Sequence, residues 1–212
     1  MAKNRKKILQ AQIPSQSGRT AQRNRTRKAI VDATMQLMAA GRTPSITEII
    51  QAAQVSRRTI YMYFPTMEQL LLDATLGALS AKTIDPAITD FATNDVAARV
   101  EHLSRTANSS VSETIHLGRA LIRLTVEGEE PLSGGPRRGY RRIQWIERAL
   151  DPARAKLRPK EFERLVSALS LLIGWEPLIV LKDVRGLDQK EAVEVLAFAA
   201  RAIVNAALHP HS

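Results

Sequence analysis

The sequence predicts an all-α fold, and three features predict it. Apolar residues recur at helical spacing from the first quarter of the chain onward, as in Ile30, Ala33, Leu37 and Met38. Three pairs have the Ser/Thr/Asp-x-x-Glu/Gln spacing of a capping box: Ser45 with Glu48, Thr66 with Gln69, and Asp188 with Glu191. Two strongly apolar helical stretches close the chain, near 159–183 and 188–208. The predicted layout is a basic arm over 1–22, a small three-helix unit over 23–68 and a larger helical body over 69–212.

With 212 residues, 44% of them hydrophobic, the chain can bury a sizeable core. It has no cysteine, which excludes disulfides and thiolate metal sites and agrees with a reducing, cytoplasmic location, as does the lack of a secretion signal. The longest apolar run, 165–181, contains Glu176, Pro177 and two serines. It falls short of the roughly 20 residues of a membrane span and is expected to be a buried helix.

The net charge of +10 is unevenly placed. Residues 1–64 hold 12 Lys/Arg against 2 Asp/Glu, and residues 65–212 hold 19 of each, so the whole excess lies in the first third. A chain with one basic end is suited to meet a polyanion there; a solubilising tail is the plainer reading of 1–22.

In chain order, residues 1–22 carry Lys3, Arg5, Lys6, Lys7 and Arg19 with little periodicity and are expected to be a disordered arm. A first helix follows from about Arg23 to Ala40 and stops at Gly41, with Arg23, Arg25, Arg27 and Lys28 crowding its start. Cations there oppose the helix dipole, so a phosphate backbone nearby would explain their placement. Ser45 starts a second helix whose inward face is Ile49, Ile50 and Ala53. After a tight turn at Gln54-Val55, Ser56 caps a third helix. Ile60 and Phe64 face inward there, while Arg57, Arg58, Thr59, Tyr61 and Tyr63 stay available and Pro65 ends the helix.

The run from Thr47 through Val55-Ser-Arg-Arg-Thr-Ile-Tyr-Met-Tyr-Phe64 to Leu71 resembles the DNA-binding domain of TetR-family transcriptional regulators, over roughly Thr26 to Leu72. The resemblance implies a homodimeric, double-stranded-DNA-binding regulator. Its second half would form a helical effector-binding and dimerisation domain, in which a small molecule shifts the fourth helix. Two residues depart from the family pattern: Gln54 stands where a turn glycine is usual, and Met67 where a phosphate-binding lysine is usual.

Helix-turn-helix units lay the N-terminal part of the second helix in the major groove, so Arg57 and Arg58 are the candidate base readers, by bidentate bonds to guanine. Thr59 and Tyr61 are candidate base, sugar or phosphate contacts. Thr47, Ser56 and Tyr63, with Arg25, Arg27 and Lys28, are candidate phosphate contacts.

The body offers materials for a ligand pocket. Trp175 and Glu176 lie in the apolar run; Glu176 either pairs with an arginine such as Arg123 or Arg142 or faces a cationic ligand. Trp145, His116 and Arg123 are further candidate lining residues. An arginine-rich helix carrying Arg137, Arg138, Arg141, Arg142 and Arg148 follows the 131–136 loop, and a turn is expected at Asp85-Pro86.

Only a narrow polar stripe (Lys190, Glu194, Arg201, Asn205) interrupts the last helix. The remaining apolar surface suggests a twofold dimer through Leu169, Leu172, Leu196, Ala199 and Ile203. An enzyme is disfavoured, since the chain has four histidines, no metal-spaced cluster and no glycine-rich phosphate loop, and no cofactor or metal is expected. The leading expectation is a repressor released from a palindromic operator by an effector; the alternative is control by a protein partner or no effector.

Overall fold

The computed structural model describes residues 16–91, 93–112, 114–128, 132 and 138–209, with side chains from residue 21 onward. These residues form ten α-helices and no strand. They are α1 Gln16–Met38, α2 Ile46–Ala53, α3 Arg57–Tyr63, α4 Met67–Asp90, α5 Val96–Ser112, α6 Ile115–Glu127, α7 Tyr140–Leu150, α8 Pro159–Ser170, α9 Trp175–Arg185 and α10 Gln189–Leu208. A 3₁₀ helix, Asp151–Lys156, joins α7 to α8.

Short-range chemistry sets the starts and stops of the first four helices. Ser45 caps α2 through a full capping box, Ser56 accepts from the Thr59 N–H at 3.0 Å, and Thr66 accepts from the Gln69 N–H at 3.1 Å. Gly41, at φ 77°, donates to the Met38 carbonyl and ends α1. The helix begins at Gln16, earlier than expected, so the last part of the predicted arm is helical; residues 1–15 lie outside the described residues. α1–α3 close over Ile30, Val31, Ile49, Ile60 and Phe64, joined by Leu70 and Ala74 of α4.

Two expectations for the body are overturned. No turn occurs at Asp85-Pro86, because α4 continues through Pro86 to Asp90. A proline inside a helix costs about 3 kcal/mol. Here Ile84 and Ile88, one turn apart across it, are both buried in the main core, a gain of about 1.5–3 kcal/mol each that outweighs the lost bond.

The stretch near 159–183 is also two helices and not one. Gly174, at φ 116°, breaks it, and Asn108 of α5 serves both sides of the break. The Asn108 side chain accepts from the Gly174 N–H at 2.8 Å and donates to the Leu172 carbonyl at 3.0 Å. Pro177, expected to bend the helix, falls in the first turn of α9, where its missing N–H has no intrahelical acceptor to serve.

The main core lies between α4, α5, α7, α8 and α10, with α10 packed most extensively along α5. Ala192, Ala197 and Ala200 on the inner face of α10 permit that close approach. Its polar stripe is exposed and runs along the edge shared with α5. Glu194 pairs with Arg105, and Arg201 pairs with Glu101, both on α5.

This rotates the helix relative to the expected interface. Leu169 and Leu196 are buried in the chain's own cores, Leu172 and Ile203 pack against them, and Ala199 is half-buried. The apolar residues that face outward are Val195 and Phe198, with Leu171, Val180 and Val184 on the α8–α9 side. Among the described residues no single helix is long and apolar enough to cross a membrane. The 131–136 loop, apart from Leu132, and Arg137 lie outside the described residues.

Candidate nucleic-acid interface and internal cavity

Ser45 and Ser56 fix the two helices of the helix-turn-helix at their N-termini. Glu48 donates its N–H to Ser45 Oγ at 3.3 Å and accepts the Ser45 N–H at 2.8 Å, while Arg42 binds its other oxygen at 2.6 Å. The Arg42 guanidinium and the Ser45 amide hold the Glu48 carboxyl down to about 2. Between the helices, Gln54 adopts the left-handed conformation (φ 52°, ψ 42°), the one non-glycine residue with positive φ among the described residues. The turn geometry is therefore kept without the glycine that favours it. Met67, the other departure from the family pattern, packs half-buried against the core of this unit.

The turn presents the leading end of α3 to solvent. Arg57, Arg58 and Ser56 are exposed, as is Thr47 on α2, and Thr59 and Tyr61 are half-buried. The Arg57 guanidinium lies over the Tyr61 ring, 5.8 Å from its centroid. Ser56 Oγ and Thr59 Oγ1 are 2.8 Å apart and share a hydrogen bond. On α1, Arg25 is exposed and bonds Gln22 at 3.0 Å, and Lys28 is exposed beside Asp32.

Two expected phosphate contacts are turned inward. Tyr63 is buried one turn from Ile60 and packs in the unit's core. Arg27 is 4% exposed; it bonds Asp73 of α4 at 2.9 Å and stacks 4.5 Å over the Phe64 ring. Its spacing from Ile30, Val31 and Thr34, all buried, is that of one helix face, which is the signal that marks it as interior.

Above this pair sits Tyr140, the first residue of α7, 3% exposed, whose ring belongs to the core of the N-terminal unit although it comes far later in sequence. Burial, and then the charge of Asp73, push its hydroxyl pKa up, and its oxygen has no hydrogen-bond partner among the described residues. Arg141 extends across Gly77 of α4, where a methyl group would meet its guanidinium at 2.1 Å, to reach Met35 on α1 at 3.2 Å and the Asp73 carbonyl at 3.4 Å. The start of α7 thereby touches α1 and α4 at once.

The other side of this junction is a cavity of about 340 Å³, within the size range of small-molecule sites. Its apolar wall includes Leu76, Leu79 and Ile84 of α4, Val111 of α5 and Leu121 of α6. Asp73, Ser80, Thr83, Tyr140, Arg141 and Arg142 supply polar groups. Trp145 and Trp175 both line it. Trp145 Nε1 donates to Asp85 at 2.7 Å, and Trp175 Nε1 donates to the Val111 carbonyl at 3.1 Å. Trp175 lies so close to Gly118 of α6 that a methyl there would be 2.1 Å from its Cγ.

His116 and Arg123 do not reach this cavity. They lie exposed on the side of α6 opposite Gly118, Leu121 and Thr125, its buried face. Glu176 is held by two arginines, Arg138 at 3.0 Å and Arg142 at 2.6 Å, and of these Arg142 lines the cavity. Burial raises its pKa, but the charge of Arg142, a backbone N–H and the two arginine hydrogen bonds outweigh that and hold it below its ordinary value. Arg123 is not its partner. Asp73, Tyr140 and Arg141 are the junction residues that the sequence reading missed. Asp73 and Arg141 carried no local signal beyond their charge, and Tyr140 was legible only as an apolar position of its helix.

The family model of the bacterial regulatory proteins, tetR family, matches residues 30–74, from within α1 into α4, a span that contains the whole helix-turn-helix. No curated protein and no solved structure matches the chain. The capped turn, the exposed basic end of α3 and the family match lead to one assignment: residues 30–74 form a DNA-binding domain of the tetR type, and the chain is a DNA-binding transcriptional regulator.

Proposed function

We propose that the protein is a cytoplasmic, homodimeric repressor that holds a palindromic operator and releases it when a small molecule enters the cavity between α4, α5 and α7. The observation that carries this reading is the double role of α4. Its first turns complete the core under the reading helix, and its middle turns form the cavity wall. A ligand that displaces Leu76, Ser80 or Ile84 moves the helix on which Arg57 and Arg58 are mounted, and with it the spacing of two reading heads.

The dimer is supported by the outward apolar face of α9 and α10, where Val184 and Phe198 are each 75% exposed. Arg58, exposed and not stacked as Arg57 is, is the preferred base reader; Arg25, Lys28 and Thr47 are assigned to phosphates.

The test is selection of bound duplexes from a random pool by the purified protein. Enrichment of an inverted repeat with half-sites about one helical turn, or a multiple, apart is expected. Enrichment of single, asymmetric sites would count against the dimeric reading.

A further inference from the structure

Resting on the reading of the cavity as the effector site, we infer that its ligand is an amphipathic anion, a carboxylate or similar headgroup carried on an apolar body. The negative group binds at Arg142.

The charge arrangement at the cavity carries the inference. Arg138, Glu176 and Arg142 form a triad of two cations and one anion, so one positive charge is left over at the cavity edge. The acid that lines the cavity, Asp73, is already held by Arg27 at 2.9 Å. Arg142 has five N–H donors. Among the described residues two are engaged, one by Glu176 and one by the Ser170 carbonyl at 3.0 Å. Its side chain is 14% exposed and lies against the bare Cα of Gly174, where a methyl would be 2.4 Å from Nη2.

A largely buried guanidinium with donors to spare, in an environment short of acids, favours an anion with charge-assisted hydrogen bonds. Tyr140 supplies the second observation. Its hydroxyl is buried, has no partner among the described residues, and belongs to a residue lining the same cavity. A buried hydroxyl of this kind is costly until an acceptor reaches it. The opposite sign, a cation drawn to Glu176, is disfavoured because both carboxylate oxygens already accept from arginines. Leu76, Leu79, Ile84 and the two tryptophans are suited to an apolar body.

The chain's two tryptophans both line the cavity, so intrinsic fluorescence reports its occupancy directly and without DNA. Octanoate, 1-octanol and octylammonium, which share one apolar body, are titrated against the full chain. Octanoate is expected to bind about tenfold or more tighter than octanol, with octylammonium weakest. Arg142→Gln is expected to weaken octanoate about tenfold or more and so abolish its preference over octanol, with an unchanged helical circular-dichroism signal showing that the variant is folded.

Glu176→Gln removes the competing acid and is expected to tighten octanoate several-fold, so the inference can be tested even if the arginine variant fails to fold. Octanol binding as tightly as octanoate, or octylammonium binding tightest, overturns the anion assignment and leaves the cavity reading standing. Weaker octanoate binding in Glu176→Gln overturns it as well. Failure of all three probes to bind overturns both readings together.

Discussion

The arginines of the two halves of the chain meet different surroundings. Arg23, Arg25, Arg57 and Arg58 in α1–α3 face solvent, in a segment with almost no acids. In the body, Arg105, Arg138, Arg142 and Arg201 each bond a carboxylate, and Arg99 bonds the Arg148 and Ala149 carbonyls at the end of α7, each at 3.0 Å. The side chain is the same, but its work differs according to whether an acceptor lies within the chain. The comparison teaches that arginine density alone is a poor guide to a DNA surface: α7 ties helices together with its arginines, whereas α3, of similar arginine density, leaves its charges for a partner. Arg27 is the exception that tests the rule, since it sits in the basic segment but is paired and buried like an arginine of the body.

The comparison is broken most severely by removing the partner of Arg27. Asp73→Ala leaves a guanidinium buried without its carboxylate, and a loss of about 3–5 kcal/mol in urea denaturation is expected. A loss below about 1 kcal/mol would place Arg27 with the solvent-facing group.

Arg58→Ala is the counterpart in α3. It is expected to leave the urea midpoint nearly unchanged while lowering affinity for the selected operator by about 1–3 kcal/mol more than for random duplex, in titrations at one salt concentration. Equal losses on the two DNAs would make Arg58 a phosphate contact. Gln54→Gly should relieve the left-handed turn and raise stability by about 1 kcal/mol or less, read as a small upward shift in thermal midpoint.

The smallest expected effect is a pH dependence of the α2 start. Glu48 has a folded pKa of about 2 against an ordinary 4.5, so the folded state favours the ionised form. The stabilisation is complete above about pH 4.5 and is lost as pH falls toward 2. An NMR titration of the Glu48 carboxyl giving an ordinary value would remove that contribution.

What was legible in the sequence was what neighbours in the chain decide among themselves. The Ser45–Glu48 and Asp188–Glu191 boxes are three-residue interactions, and both form. The stop at Gly41 and the left-handed residue at Gln54 belong to the same class. Which way a helix faces depends instead on distant partners. Leu169 and Leu196 were expected at a dimer interface, but pairing of Glu194 and Arg201 with α5 turns α10 so that Val195 and Phe198 face outward.

The cavity was less legible still. Trp145 and Trp175 were found from composition, and His116 and Arg123 were misplaced because α6 shows its inner face only once Trp175 lies against Gly118. The break at Gly174 depends on Asn108, a residue 66 positions earlier that no local pattern connects to it.

Tyr140 bears on how such proteins can be recombined. Its ring completes the core of the N-terminal unit from the far side of the chain, and Asp73, which fixes Arg27 below it, belongs to a helix shared by both halves. A reading head cut out at residue 66 and grafted onto another sensor would leave Arg27 without its carboxylate and Phe64 without part of its cover. The transferable part is therefore not a continuous segment. A working chimaera must carry Asp73 and Tyr140 along with α1–α3, or find substitutes for both in the recipient body.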